Sequence, residues 1–207
     1  MTRLLVATNN EGKLREYRDL LAGVPVQLVS LREAGIDLEV EETGRTFAEN
    51  AIIKASCYAR ASGLCTLADD SGLEVDALGG EPGVMSARYA GPQATDADRV
   101  RFLLDKMKTV PDDQRSARFR CVIAVASPSG KVETSEGTIE GVITWEPRGQ
   151  YGFGYDPVFY IPEMMRTMAE LPPAIKNRIS HRARAAAGAR LIVERLLRAG
   201  ECRDKQA

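Results

Sequence analysis

Leu67-Ala68-Asp69-Asp70-Ser71-Gly72 ends a short apolar run with two adjacent carboxylates, a small hydroxyl residue and a glycine. The composition predicts a strand over 65–68 that stops at the acids, because Asp, Ser and Gly favour turns over ladders. Two carboxylates at a strand end occupy the usual place for chemistry on an open α/β sheet. Acids so placed suit Mg²⁺, which takes one or two protein oxygens plus substrate phosphate. They are equally the residues of a plain turn, and the flanking chain has to decide.

Upstream, Arg3 to Ala7 is nearly continuously apolar, as a strand buried on both faces requires. Thr8-Asn9-Asn10-Glu11-Gly12-Lys13 follows, then Leu14, Tyr17, Leu20 and Leu21 at helical spacing. Thr8, Asn9 or Asn10 can each cap that helix, and its N-terminus with Lys13 in the first turn suits phosphate. The GxxxxGK[ST] spacing of a Walker loop is absent. A second strand is expected over 26–29, then the acidic loop Glu39-Val40-Glu41-Glu42-Thr43-Gly44. Thr46 and Glu49 form a capping-box pattern for a helix ending near Gly63. Its apolar face carries Phe47, Ala51, Ile52, Ala55 and Ala59, while Asn50 and Lys54 share a face beside that stripe. Lys54 either snorkels there or reaches a ligand.

Downstream, Thr95 begins another helix, and the β-rich runs 117–126 and 132–145 flank Ser127-Pro128-Ser129-Gly130 as a hairpin. Strand–helix alternation followed by long antiparallel strands implies a mixed α/β sheet. Gly149 to Pro157 combines glycines, which let backbone approach a ligand, with the aromatic faces of Tyr151, Phe153 and Tyr155. Met164, Met165 and Met168 fill space or lie under a lid. Lys176, His181 and Arg182 precede a last helix rich in alanine and arginine, with Ser180 as its expected cap.

The 207 residues balance 28 Lys and Arg against 29 Asp and Glu, a net charge of −1, with 44% hydrophobic and 28% charged residues. This is the balance of an ordered chain with no nucleic-acid coat and no membrane surface. No apolar run approaches the roughly 20 residues of a membrane span. Nor does the N-terminus read as a signal peptide. Cys57, Cys65, Cys121 and Cys202 form no CxxC pair and, with the lone His181, no zinc set. They are expected to be reduced thiols of a cytoplasmic protein.

The ordered series of motifs resembles a known family. Thr8-x-Asn10-x-x-Lys13, Glu42-Thr43-Gly44, Phe47-x-Glu49-Asn50-Ala51-x-x-Lys54-Ala55, Ala68-Asp69-Asp70-Ser71-Gly72, Ser86-Ala87-Arg88-Tyr89, Phe153-Gly154-Tyr155-Asp156-Pro157 and Ile179-Ser180-His181-Arg182 resemble, in register from about Leu4 to about Leu197, the inosine triphosphate pyrophosphatases. That family hydrolyses non-standard purine nucleoside triphosphates. The resemblance implies an elongated mixed β-sheet flanked by helices, with two lobes and a central cleft. The expected organisation is a single α/β domain over residues 1–200 and a disordered tail over 201–207. It implies hydrolysis of ITP, dITP and XTP to the monophosphate and pyrophosphate, a Mg²⁺ requirement, and a homodimer.

By residue, the resemblance places the triphosphate loop on Thr8, Asn9, Asn10, Glu11, Gly12 and Lys13, and a further phosphate lysine on Lys54. It places the metal-binding acids on Glu41 and Asp70, the general base on Asp70 and a substrate contact on Ser71. The nucleoside segments fall on Phe153, Gly154, Tyr155, Asp156, Lys176, His181 and Arg182. Departures are Arg166 and Met168 in the lid stretch, the missing acid before Lys176, and Ala183 after His-Arg. The residue chemistry agrees with these roles. A carboxylate beside a dication stays ionised, so Asp70 can accept a proton. Neighbouring strand residues face opposite ways, so Asp69 and Asp70 do different jobs. Asp69 is either a support or turn structure. A backbone N–H or Arg182 aimed at purine O6 would disfavour adenine, and Phe153 offers a stacking face. Two rival readings remain. A non-catalytic nucleotide-binding module would bind without turnover, and a pyrophosphatase for modified pyrimidines would show itself in a substrate panel.

Overall fold

The computed structural model describes residues 1–202. Its strands are β1 (Arg3–Val6), β2 (Gln27–Ser30), β3 (Cys65–Val75), β4 (Ser116–Ala126), β5 (Val132–Ile143), β6 (Phe159–Ile161) and β7 (Arg166–Thr167). The α-helices are α1 (Glu11–Leu20), α2 (Phe47–Ser62), α3 (Asp96–Met107), α4 (Pro173–Ile179) and α5 (His181–Arg198). The strands form a seven-stranded sheet in the order β2-β1-β3-β4-β5-β6-β7. β1 is parallel to β2 and β3, whereas β5–β6 and β6–β7 are antiparallel, so the sheet is mixed. The chain divides into two compact units. The first comprises residues 1–70, 121–137 and those from 182 onward; the second comprises 71–120 and 138–181.

In the first unit, α1 and α5 bury Leu14, Tyr17, Ala185, Ala189, Val193 and Leu196 against Leu4, Val6, Leu67, Ile123 and Val125 of the sheet. Asn10 caps α1, its side chain accepting from the Lys13 N–H. Helix α2 is capped by Thr46 and ends on Gly63 in the left-handed region at φ 67, as its sequence signals predict. Only half of the capping box forms: Glu49 accepts from the Arg45 N–H at 2.6 Å. Ala51, Ala55 and Ala59 are fully buried, and their small side chains let α2 pack closely. Ile52 lies off that face, exposed, and Tyr58 is buried instead with its hydroxyl donating to the Leu38 carbonyl. In the second unit, Leu73, Val75, Leu103, Met107, Phe119, Ile139, Phe159 and Met168 form the core. A complete Thr95/Asp98 capping box starts α3.

Two expectations are corrected. β3 does not stop at Ala68 but runs to Val75 through both acids. The turn preference of Asp-Asp-Ser-Gly is a local tendency, and here side chains from other elements satisfy the acids, so the ladder prevails. The cysteines are not all free: Cys65 and Cys202 are bonded, with Cα atoms 5.2 Å apart. The turn after α5 brings Cys202 back against the first residue of β3, within disulfide reach. Glu201 and Cys202 are therefore anchored, and residues 203–207 of the expected tail lie outside the described residues.

Candidate functional site

β1 pairs with β3 only over Leu4–Val6 against Cys65–Leu67, and the Ala7 N–H makes a last bond to the Leu67 carbonyl. Asp69 and Asp70 therefore stand just beyond the C-terminal end of β1, next to the loop that carries Thr8 to Lys13. This is the crevice position that parallel α/β sheets offer to ligands. Adjacent on a strand, the two acids enter different environments.

Asp69 joins a buried charge chain. Lys13 Nζ donates to Asp69 Oδ2 at 2.8 Å, and Arg182 Nη2 lies 3.7 Å from the same oxygen. Arg182, at the start of α5, is 2% exposed and donates to Glu16 of α1 at 2.6 Å. Burial opposes the Asp69 charge, but Lys13, Arg182 and Lys54 outweigh it and hold the carboxyl well below its usual range. Burial likewise opposes the Arg182 charge, and Glu16 and Asp69 outweigh it, raising that group further. The Cys121 thiol lies 3.8 Å from Asp69 Oδ2, and burial together with the Asp69 charge pushes it up to about 12.

Asp70 faces α2 and the acidic loop. Asn50 Nδ2 donates to its Oδ2 at 3.0 Å, and Lys54 Nζ lies 3.9 Å from its Oδ1. The same ammonium donates to Glu42 Oε1 at 2.5 Å. Burial pushes the Asp70 carboxyl above its usual range, in excess of the lowering by Lys54 and Asn50. Burial would lower Lys54, but Asp70, Asp69 and Glu42 hold it above its usual range. Glu41, the other expected metal acid, is exposed, and its neighbour Glu42 is the one turned toward Lys54. Sequence spacing does not choose between neighbouring acids on a loop, because a loop has no periodicity to orient them.

On the triphosphate loop, Thr8 Oγ1 accepts from the Asn10 N–H at 3.2 Å, and Asn10 Oδ1 accepts from the Lys13 N–H at 2.9 Å. Glu11 and Gly12 form the first turn of α1. A cavity of about 580 Å³ borders this loop, lined by Thr8, Asn9 and Glu11 with Arg18, Ser30 and Arg32.

The second unit holds the remaining expected residues. Ser71 follows Asp70 on β3. Asp156 is 3% exposed; its Oδ2 accepts from Lys176 Nζ at 2.5 Å and from the Phe153 N–H at 3.0 Å. Lys176, on α4 and not beyond it, also stands 4.6 Å from the Phe153 ring centroid. Gly152 has φ 76, and a Cβ there would strike the Asp156 carboxylate, so the segment needs glycine twice over. The Gly154 N–H donates to Asp96 of α3 at 2.7 Å, and the buried Tyr155 donates its hydroxyl to the Ser86 carbonyl at 2.9 Å. His181 is 4% exposed and stacks on Phe119 at 4.8 Å. Asp96 was not foreseen; only its place in the first turn of α3 marks it.

A family model described as "Ham1 family" matches residues 4–190. The chain belongs to the Ham1 family. A dITP/XTP pyrophosphatase of Geobacter sulfurreducens is 54% identical over 187 residues, covering 90% of this chain and 94% of that protein. One from Thermus thermophilus is 50% identical, covering 88% and 87%. Among solved structures, a HAM1 protein from Coxiella burnetii is 44% identical with a TM-score of 0.86, covering 94% of this chain and 100% of that one. In this Ham1-family chain, no cluster of three or more His, Cys, Asp or Glu able to hold a metal occurs among the described residues. Nor is any described helix long and apolar enough to cross a membrane.

Proposed function

We propose that this chain hydrolyses dITP, XTP and ITP to the nucleoside monophosphate and pyrophosphate. The observation that carries the reading is its likeness, over about nine-tenths of its length, to relatives named dITP/XTP pyrophosphatase. In the reaction, water attacks the α-phosphorus, the bond to the bridging oxygen breaks, and pyrophosphate leaves with that electron pair.

The residues support distinct parts of this chemistry. Lys13 and the N-terminus of α1 receive phosphate oxygens, and Lys54 supplies a second positive charge; each charge-assisted bond contributes on the order of 1.5–3 kcal/mol. Asp70 accepts the proton of the attacking water at a carboxylate oxygen. Phe153 offers a stacking face to the purine. Arg182 is buried between Glu16 and Asp69 in the first unit, and O6 recognition is assigned to a backbone N–H beside the purine. An adenine amino group would leave such a donor unpaired at about 1–3 kcal/mol.

The donor chemistry fits Mg²⁺. Asp70 and Glu42 already converge on a single cation, the Lys54 ammonium, and Mg²⁺ needs only one or two carboxylates when phosphates complete its shell. Asp70 with Glu42 or Glu41 would hold it. When bound, Mg²⁺ polarises the phosphoryl oxygens and offsets charge developing on the leaving group. A homodimer and a cytoplasmic location belong to the same proposal.

The test is a panel of dITP, XTP, ITP, ATP and dUTP with Mg²⁺ and product identification. Pyrophosphate from the first three, with little turnover of ATP or dUTP, is expected. Orthophosphate as first product overturns attack at the α-phosphorus, and tight ITP binding without turnover overturns the enzyme reading.

A further inference from the structure

We propose that Asn50 is a positioning residue that fixes the rotation of the Asp70 carboxylate and ties it to the acidic loop over residues 39–44. The inference deepens the reading of Asp70 given above and rests on it. Asn50 lies in the first turns of α2 and is 1% exposed. Its amide is used from both ends: Oδ1 accepts from the Gly44 N–H at 2.8 Å, and Nδ2 donates to Asp70 Oδ2 at 3.0 Å. The orientation follows from chemistry, since a backbone N–H only donates and an ionised carboxylate only accepts. Oxygen must face Gly44, and nitrogen must face Asp70.

The loop approaches this amide as closely as a backbone can. A Cβ at Gly44 would lie 2.6 Å from Asn50 Oδ1, 2.7 Å from Glu49 Cβ and 2.9 Å from Asn50 N. Glycine at 44 is thus explained by closeness to Asn50. One helical turn on, Lys54 reaches Glu42 and the other Asp70 oxygen. Asn50 engages Oδ2, while Lys54 Nζ lies 3.9 Å from Oδ1. A short planar amide donates and accepts at opposite ends; Asp offers no donor when ionised, Leu neither group, and Ala lacks the reach.

The test compares Asn50→Ala and Asn50→Leu with wild type and with Asp70→Asn, using ITP and Mg²⁺. Both Asn50 variants are expected to lower kcat by ~10–100-fold, the loss usual when the partner orienting a ligand carboxylate is removed. KM for ITP should stay within about threefold, because the phosphate and purine contacts are untouched. A second readout does not depend on turnover. By NMR, the Gly44 amide should exchange with solvent at least about tenfold faster in both variants, its acceptor being gone. Leu keeps the four side-chain heavy atoms and γ-branching of Asn without its polar groups, so a residue that only filled space would be rescued in Asn50→Leu, and recovery of wild-type kcat there overturns the proposal. So does an unchanged Gly44 exchange rate. Should Asn50→Ala fail to fold, Asn50→Leu carries both readouts. A wild-type kcat in Asp70→Asn sinks the reading of the site itself. Loss of activity in Asp70→Asn with wild-type kcat in Asn50→Leu sinks only the present inference.

Discussion

Asp69 and Asp70 are adjacent on one strand, yet they project to opposite faces of β3 and meet different surroundings. On one face, Lys13, Arg182 and Glu16 close a chain around Asp69 inside the core. On the other, a neutral amide and a lysine shared with Glu42 attend Asp70. The first carboxyl is held down by cations and the second is pushed up by burial. A carboxylate bound to buried cations is a counter-ion that organises structure. Asp70 instead accepts from an amide at 3.0 Å and has an ammonium 3.9 Å away. The lesson is that identical neighbours acquire different roles from the elements packed on each face.

The comparison breaks most decisively at Asp70. Asp70→Asn preserves shape and hydrogen-bonding reach but removes the proton acceptor, and a fall in kcat of about 10²–10⁴ is expected with unfolding by urea little changed. A wild-type rate in steady-state assays would remove Asp70 as the base. Asp69→Asn should show the converse. Removing the carboxylate of a buried ion pair takes from Lys13 its 2.8 Å partner and leaves Arg182 to Glu16, at ~3–5 kcal/mol of stability, measured as a drop in the urea midpoint. If Asp69→Asn kept full stability while losing all turnover, the two roles would have to be exchanged.

Smaller effects sharpen the contrast. Lys13→Ala and Lys54→Ala are each expected to lower kcat/KM for dITP by ~10–100-fold, equivalent to one lost charge-assisted bond. Lys13→Ala should lower the urea midpoint more than Lys54→Ala, because it takes the nearest cation from the fully buried Asp69, whereas Lys54 pairs with the more accessible Glu42. The smallest effect is in thiol labelling. Cys121, buried beside Asp69 with its thiol pushed up to about 12, should resist iodoacetamide at pH 8 in the native protein, while the half-buried Cys57 reacts first. Mass spectrometry of the labelled peptides checks the order, and early labelling of Cys121 would show that the Asp69 side opens.

Much of the first unit is legible locally. The apolar run before Thr8, the capping residues Asn10 and Thr46, and the helix stop at Gly63 are short-range devices, and each works as the sequence suggests. The hairpin at Ser127 to Lys131 is equally local. Asp-Asp-Ser-Gly is where local reading fails, since turn propensity there competes with partners far off in sequence, such as Lys13, 56 residues from Asp69. Arg182 fails for the same reason: Glu16 is 166 residues distant, and nothing near position 182 announces it.

From sequence alone the mixed α/β sheet and the capped starts of α1 and α2 were determined, because caps, periodicity and motif order act over a few residues. The tertiary structure alone decided that β3 runs on through those acids, that Glu42 and not Glu41 turns to Lys54, and that Cys202 returns to Cys65. It also decided which acid belongs to which face. A strand sends alternate side chains to opposite sides, but only the helices and loops that arrive there determine whether a carboxylate meets two buried cations or an amide.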